Sequence, residues 1–176
     1  VNCGSNGAGR QGMRHIISIL VENEFGALGR IAGLFTARGY NIDSLTVAPT
    51  DDPTLSRMTL VTQGDDQTVE QIRKQLNKLL DVVRVSDITE ALHIERELML
   101  VKVQATSSES REEFKRLADI FDACVVDVTD KTYTIEVIGR GSKLDAFLDL
   151  LKDQTPMEVV RSGVIGIARG EKQMRV

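Results

Sequence analysis

The sequence predicts an α+β chain built from two tandem β-α-β-β-α-β units, and three observations carry that prediction. Runs rich in Val, Ile and Thr with alternating or continuous apolar character are interleaved with stretches whose apolar residues recur at i, i+3, i+4 and i+7. The order strand, helix, strand, strand, helix, strand is complete near residue 88 and begins again near residue 97. Glycine, proline and aspartate fall between these segments, where turns belong.

Arg14–Val21 is apolar on both faces and β-branched, which suits a central strand. A polar turn, Glu22-Asn23-Glu24-Phe25-Gly26, leads into a helix over Ala27–Arg38. There Leu28, Ile31, Ala32 and Phe35 define one apolar face, and Gly39 ends it. Asn41–Pro49 and Leu55–Gln63 are strands joined by the turn Pro49-Thr50-Asp51-Asp52-Pro53, a hairpin. Gly64-Asp65-Asp66 breaks the chain and places acids at the start of a second helix, Thr68–Leu80, with Val69, Ile72, Leu76, Leu79 and Leu80 at helical spacing. Val82–Ile88 is the last strand of the first unit, whose order is that of a ferredoxin-like sheet with both helices on one face.

Residues 90–96 are read as a linker with no element of its own, and His93 as a solvated linker residue. In the second unit Leu98–Ala105 is a strand, and Ser107–Ser110 starts a helix bearing Phe114, Leu117, Ala118 and Phe121. Val125–Thr129 and Thr132–Ile138 form a hairpin, and Leu144, Phe147, Leu148 and Leu151 mark a fourth helix. Glu158–Arg161 is a short last strand with SGVIGIARG trailing after it. The expected domains are residues 13–89 and 97–176. Residues 1–12, VNCGSNGAGRQG, lack periodicity and are read as a disordered leader or a remnant of expression cloning.

Composition narrows the function. The chain has 176 residues, 41% hydrophobic and 27% charged, with net charge −4 and no cationic block. With 4% aromatics there is little surface for stacking bases, so nucleic acid is not an expected partner. No apolar run approaches a membrane span, and the chain reads as cytoplasmic. Cys3 and Cys124 make no disulfide framework or metal motif; Cys124 is read as a core position. Histidines His15 and His93 have no metal-ligand spacing. Ser56-Arg57 and Ser162-Gly163 lack a nucleophile elbow, Asp51-Asp52 is better explained as a turn, and Gly139–Lys143 lacks phosphate-loop spacing. No residue set is expected to catalyse a reaction, which leaves binding. A glycine-bearing turn at a helix start, with backbone N–H groups lacking intrahelical partners, suits a small anion such as a carboxylate.

The stretch ENEFGALGRIAGLFTARGYNIDSLTVAPTDDPTLSRMTL resembles an ACT domain, the small βαββαβ module that binds amino acids. Together with ERELMLVKV, IFDACVVDVT, GSKLDAFL and VVRSGVIGIARG it resembles the regulatory (small) subunits of acetolactate synthase, also called acetohydroxyacid synthase, from Met13 to Arg175. The resemblance implies a homodimer without catalytic activity that binds and activates the catalytic (large) subunit. It also implies feedback inhibition by valine in branched-chain amino-acid biosynthesis. Thiamine diphosphate, Mg and FAD would reside on that partner, and none on this chain. The implied effector-binding residues are Asn23, Gly26 and Asn41, with Glu24, Phe25, Ala27, Leu28 and Ile42 beside them. Phe25 and Gly29 stand where relatives often carry small polar residues; glycine there costs about 0.5–1 kcal/mol of helix stability. An ACT-type sensor serving another biosynthetic enzyme is the alternative. A metal- or DNA-responsive regulator is disfavoured by the absence of histidine clusters and basic patches.

A valine zwitterion needs donors for its carboxylate, acceptors for its ammonium and an apolar niche, for which the Gly26–Leu28 amides, the Asn23 side chain and Leu28 or Ile42 are suited. A twelve-residue helix spans about 18 Å, so Asn23 and Asn41 of one chain cannot both touch one amino acid. Two chains set antiparallel about a two-fold axis would bring one chain's turn to the other's Asn41.

Overall fold

A computed structural model describes residues 12–154 and 156–174. The expected leader falls on residues 1–12, so all of it but Gly12 lies outside the described residues, as does Cys3. By contact density the chain divides into two units, one running to Leu92 and including the segment from Glu171, the other His93–Gly170.

The first unit contains β1 (Met13–Glu22), α1 (Ala27–Arg38), β2 (Ser44–Pro49), β3 (Leu55–Gly64), α2 (Asp66–Leu76) and β4 (Val82–Asp87). The strands form an antiparallel sheet in the order β2-β3-β1-β4. β1 pairs with β3 from Met13↔Gly64 to Glu22↔Leu55 and with β4 from Ile17↔Asp87 to Val21↔Val82, which makes it the inner strand its sequence predicts. Alternation then sorts the side chains. Ile17, Ile19 and Val21 join Met58 and Leu60 under Ile31 and Phe35 of α1 and Val69, Ile72 and Leu76 of α2. Ile16, Ser18 and Leu20, on the opposite face, are also buried.

The second unit repeats the order with β5 (His93–Gln104), α3 (Ser108–Ile120), β6 (Cys124–Val128), β7 (Thr132–Gly139), α4 (Gly141–Leu150) and β8 (Glu158–Arg161). Its sheet runs β6-β7-β5-β8, and a further strand, β9 (Ile165–Ala168), pairs with the start of β5. Met99, Val101 and Val103 pack with Ile135 and Val137 beneath Phe114, Leu117, Leu144 and Phe147. Phe121 meets Phe147 edge to face at 5.2 Å between centroids. Arg161 of β8 is tied to the buried Glu97 through Nε (2.9 Å) and Nη2 (2.8 Å) and to Asp145 through Nη1 (2.7 Å). The two carboxylates raise the Arg161 pKa, the Glu97 hydrogen bond most of all.

Several expectations are corrected. Helix α2 covers Asp66–Leu76 rather than Thr68–Leu80, because Asp65 caps it by accepting from the Thr68 amide (2.8 Å) and Asn77 ends it. Leu79 packs on the core from the following turn, but Leu80 is 97% exposed. β2 begins at Ser44, leaving Asn41 and Ile42 in the preceding loop. His93–Arg96 is not an elementless linker: it is the start of β5, paired with Ile165–Ala168 of the trailing segment. His93 is accordingly half-buried. Cys124 is exposed, not in the core, since it opposes Glu136 on the sheet face away from the helices, on the edge strand β6. On α1 the buried positions are Ala27, Ile31 and Phe35, whereas Leu28 is 46% exposed.

These placements set the stability costs. Phe35→Ala, emptying a fully buried ring site, is expected to lower stability by about 3–5 kcal/mol. Leu80→Gln is expected to change it by less than about 0.5 kcal/mol. Urea titrations of both variants check this.

Candidate effector-binding site

The turn after β1 is tied to neighbouring segments at both main chain and side chain. The Asn23 amide N–H donates to Thr54 O (2.7 Å) and that of Glu22 to Asp81 O (2.8 Å). Asn23 Nδ2 donates to Pro53 O (3.1 Å), and its Oδ1 accepts from Ser56 Oγ (3.2 Å). One donor and one acceptor of this amide are thereby committed to the β2–β3 hairpin, which fixes which end points where.

Gly26 is the N-cap of α1 with φ 85°, in the left-handed region where glycine is at ease, and offers no side chain to the helix start. The Ala27 amide reaches back to Glu24 O (3.3 Å), and the intrahelical bonds begin with Arg30 N to Gly26 O (3.0 Å). The amides of Leu28 and Gly29 sit between these, in the turn where helix geometry supplies no acceptor and the cap supplies none either. Leu28 and Phe25, the latter fully exposed, flank this start. A Cβ on Gly26 would lie 3.0 Å from Arg30 Nη1, so a side chain there disturbs the next feature directly.

Arg30 clasps the turn. Its Nη2 donates to Phe25 O (3.3 Å) and to Asp81 Oδ1 (2.8 Å), while Nε donates to Asp81 Oδ2. The fork joins the start of α1 to the segment before β4. The hydrogen bond from Arg30 holds the Asp81 carboxyl below its ordinary pKa and raises that of the guanidinium in return.

At the other end of α1, Gly39 closes the helix with φ 68°. Thr62 Oγ1 donates to Asn41 O (2.6 Å), Asn41 Nδ2 donates to Asp43 Oδ1 (2.6 Å), and Ile42 packs against the core. The predicted residues thus fall into two groups. Asn23, Glu24, Phe25, Gly26, Ala27 and Leu28 cluster at one end of α1, and Asn41 and Ile42 lie at the other. β1 and β2 both run antiparallel to β3, hence parallel to each other, so α1 carries the chain from one end of the sheet to the other, about 18 Å. Sequence reasoning did not single out Arg30, Asp43, Ser56 or Asp81 as parts of this frame. Arg30 stood in the motif without a role, and no local signal marks Asp81 as its partner.

A cavity of about 380 Å³ on the same unit is lined by His15, Asp66, Val69, Glu70, Arg73, Asp87 and Glu90, near the start of α2. Within it His15 Nδ1 lies 3.1 Å from Asp87 Oδ2 and Arg73 pairs with Glu70 (2.7 Å). None of the predicted site residues lines it.

The chain matches two family models, an acetohydroxyacid synthase small subunit-like ACT domain over residues 17–84 and the small subunit of acetolactate synthase over residues 96–170. It is 58% identical to the acetolactate synthase isozyme 3 small subunit of Salmonella typhimurium, over 93% of this chain and 100% of that one. It is 57% identical to the protein of the same name from Escherichia coli, with the same coverage. The crystal structure of the acetolactate synthase small subunit of Thermotoga maritima superimposes with a TM-score of 0.82 at 37% identity, covering 91% of this chain and 99% of that one.

The clasp has a pH signature. Because the folded pKa of Asp81 is lowered, its contribution is present above the unfolded aspartate value of about 4 and is lost as pH falls through the folded value. Asp81→Asn is therefore expected to lower the urea midpoint at pH 7, the gap to the parent closing as pH drops below about 4. Paired denaturation curves at pH 7 and pH 3 check it.

Proposed function

The chain belongs to the family of acetolactate synthase small subunits, and on that premise we propose that it is the regulatory subunit of this enzyme, docking on the catalytic (large) subunit, raising its activity and conferring feedback inhibition by valine. Its place is in branched-chain amino-acid biosynthesis. Catalysis, with thiamine diphosphate, Mg and FAD, is assigned to the cytoplasmic catalytic partner. Among the described residues no group of three or more His, Cys, Asp or Glu is arranged to hold a metal ion. No helix among the described residues is long and apolar enough to cross a membrane.

The observation that carries the reading is the uncapped start of α1 on Gly26. Its amides at Leu28 and Gly29 and its partial positive charge suit the valine carboxylate, and Leu28 offers apolar surface to the isopropyl group. Recognition of two methyls contributes about 10–200-fold over a smaller amino acid. Asn41 serves from a second chain, because α1 keeps it away from the turn of its own chain. β2 is an outer strand of its sheet, and the exposed side of α1 carries Gly29 and Gly33 with no atom within 4 Å of where a Cβ would lie. Two copies set antiparallel along this edge lay α1 beside its equivalent and bring each turn to the other's Asn41. Valine then binds one arrangement of the pair better than another, and that difference in affinity drives the response of the catalytic subunit.

Reconstitution with an acetolactate synthase catalytic chain is the test. The parent chain should raise activity and make it valine-sensitive. Gly26→Ala, which puts a side chain at a left-handed φ and against Arg30, should raise the valine concentration for half-inhibition by about tenfold or more. No activation and no valine effect with the parent chain refutes the proposal. Gly33→Leu should shift the chain toward monomer in sedimentation and weaken valine binding in parallel. Valine held by a monomer with undiminished affinity would overturn the two-chain site.

A further inference from the structure

The loop carrying Asn41 contains a carboxylate that the motif assigns no role. Asp43 accepts from Asn41 Nδ2 through Oδ1 (2.6 Å) and from Gln63 Nε2 through Oδ2 (2.9 Å). Its own backbone amide donates to Val61 O (2.8 Å), so the carboxylate is fixed to β3 at both main chain and side chain. The backbone of Asn41 is pinned separately, by Thr62 Oγ1, and Thr62 is buried.

The consequence lies in which end of the Asn41 amide is left over. A primary amide has an acceptor end and a donor end, and rotation by half a turn exchanges them. A carboxylate accepts only, so it can hold the Asn41 amide in just one of those two orientations, with the NH2 inward. The Asn41 carbonyl oxygen is then presented away from Asp43. An acceptor in that place fits an ammonium and repels a carboxylate.

We infer that Asp43 is a positioning residue: by orienting the Asn41 amide through its NH2 group, it makes Asn41 the ammonium-reading half of the effector site. This rests on the proposed two-chain valine site and adds the direction in which the amino acid lies across it. The carboxylate sits on the α1 amides of one chain and the ammonium on the Asn41 carbonyl of the other. Gln63 donates to the second oxygen of Asp43, so that both carboxylate oxygens are hydrogen-bonded. The charge of Asp43 adds to the negative potential around the ammonium.

The experiment compares valine with isovalerate, which has the same branched skeleton and carboxylate without the ammonium, by calorimetry on the full chain and by inhibition of the reconstituted enzyme. The parent chain should prefer valine strongly. Asp43→Ala should weaken valine by about tenfold, the worth of one charge-assisted hydrogen bond, and leave isovalerate nearly where it was, so that the ratio between them collapses. Asp43→Glu, which keeps an acceptor-only group, should restore most of the ratio. A merely structural role for Asp43 would weaken both ligands together, and that result overturns the inference. So does an unchanged ratio in Asp43→Ala while Asn41→Ala abolishes valine binding; the two-chain site then stands without this orientation. If Asn41→Ala itself leaves valine binding untouched, the site reading fails along with it.

Discussion

The crossover from β1 through α1 to β2 constrains everything else in the first unit. β1 and β2 are both antiparallel to β3, so they run the same way, and the helix between them must return the chain along the whole sheet. What leaves β1 and what enters β2 are therefore at opposite ends. Twelve helical residues cannot be shortened without losing either the Ile31 and Phe35 contacts or the glycine stops at both ends. A ligand reader that uses both ends has no option but a second copy of the chain. In the two-chain site proposed above, dimerisation and ligand binding would be one equilibrium viewed from two sides.

The two ends are stiffened by the same device. At the turn, Asn23 is bound to Pro53 and Ser56, and Arg30 ties Phe25 O to Asp81. At the loop, Asn41 is bound to Asp43 and Thr62, and Asp43 to Gln63. Each uses side chains from a distant strand or turn to hold a short irregular segment whose backbone has no ladder of its own. Such bonds contribute little to global stability at exposed positions. Their effect is on the order of the segment: in the proposed site, a pre-set amide or carbonyl would meet a zwitterion without first giving up its own freedom.

Periodicity made the scaffold legible. β1 reads as an inner strand because it is apolar on both faces, and α1 was bounded correctly because Gly26 and Gly39 are chemically unmistakable stops. What could not be read depends on partners far away in sequence. His93–Arg96 alternates like a strand, but its edge is completed by Ile165–Ala168, some 70 residues on. Leu80 sits at helical spacing from Leu76, yet Asn77 had already ended the helix. Cys124 lies in an apolar run, but its register opposite Glu136 turns it outward. The candidate turn is legible as one motif because its residues are contiguous. Asp81 is not, because an ion pair across 51 residues leaves no local pattern.

The two units differ in how the equivalent helix start is closed. Helix α3 occupies the place of α1 in the same strand order, yet its start is closed by its own residues. Ser107 Oγ accepts from the Ser110 amide (3.1 Å), and Ser110 Oγ accepts from the Ser107 amide (3.2 Å). This reciprocal box serves the N3 amide, the counterpart of Gly29 in α1, and the N-cap amide, with side chains that Gly26 does not have. A carboxylate arriving at α3 would compete with Ser107 for the N3 amide, whereas no cap side chain competes for it at α1. In the proposed reading, glycine at the cap of one helix, where the other has a serine pair, is what leaves the start of α1 open to a ligand.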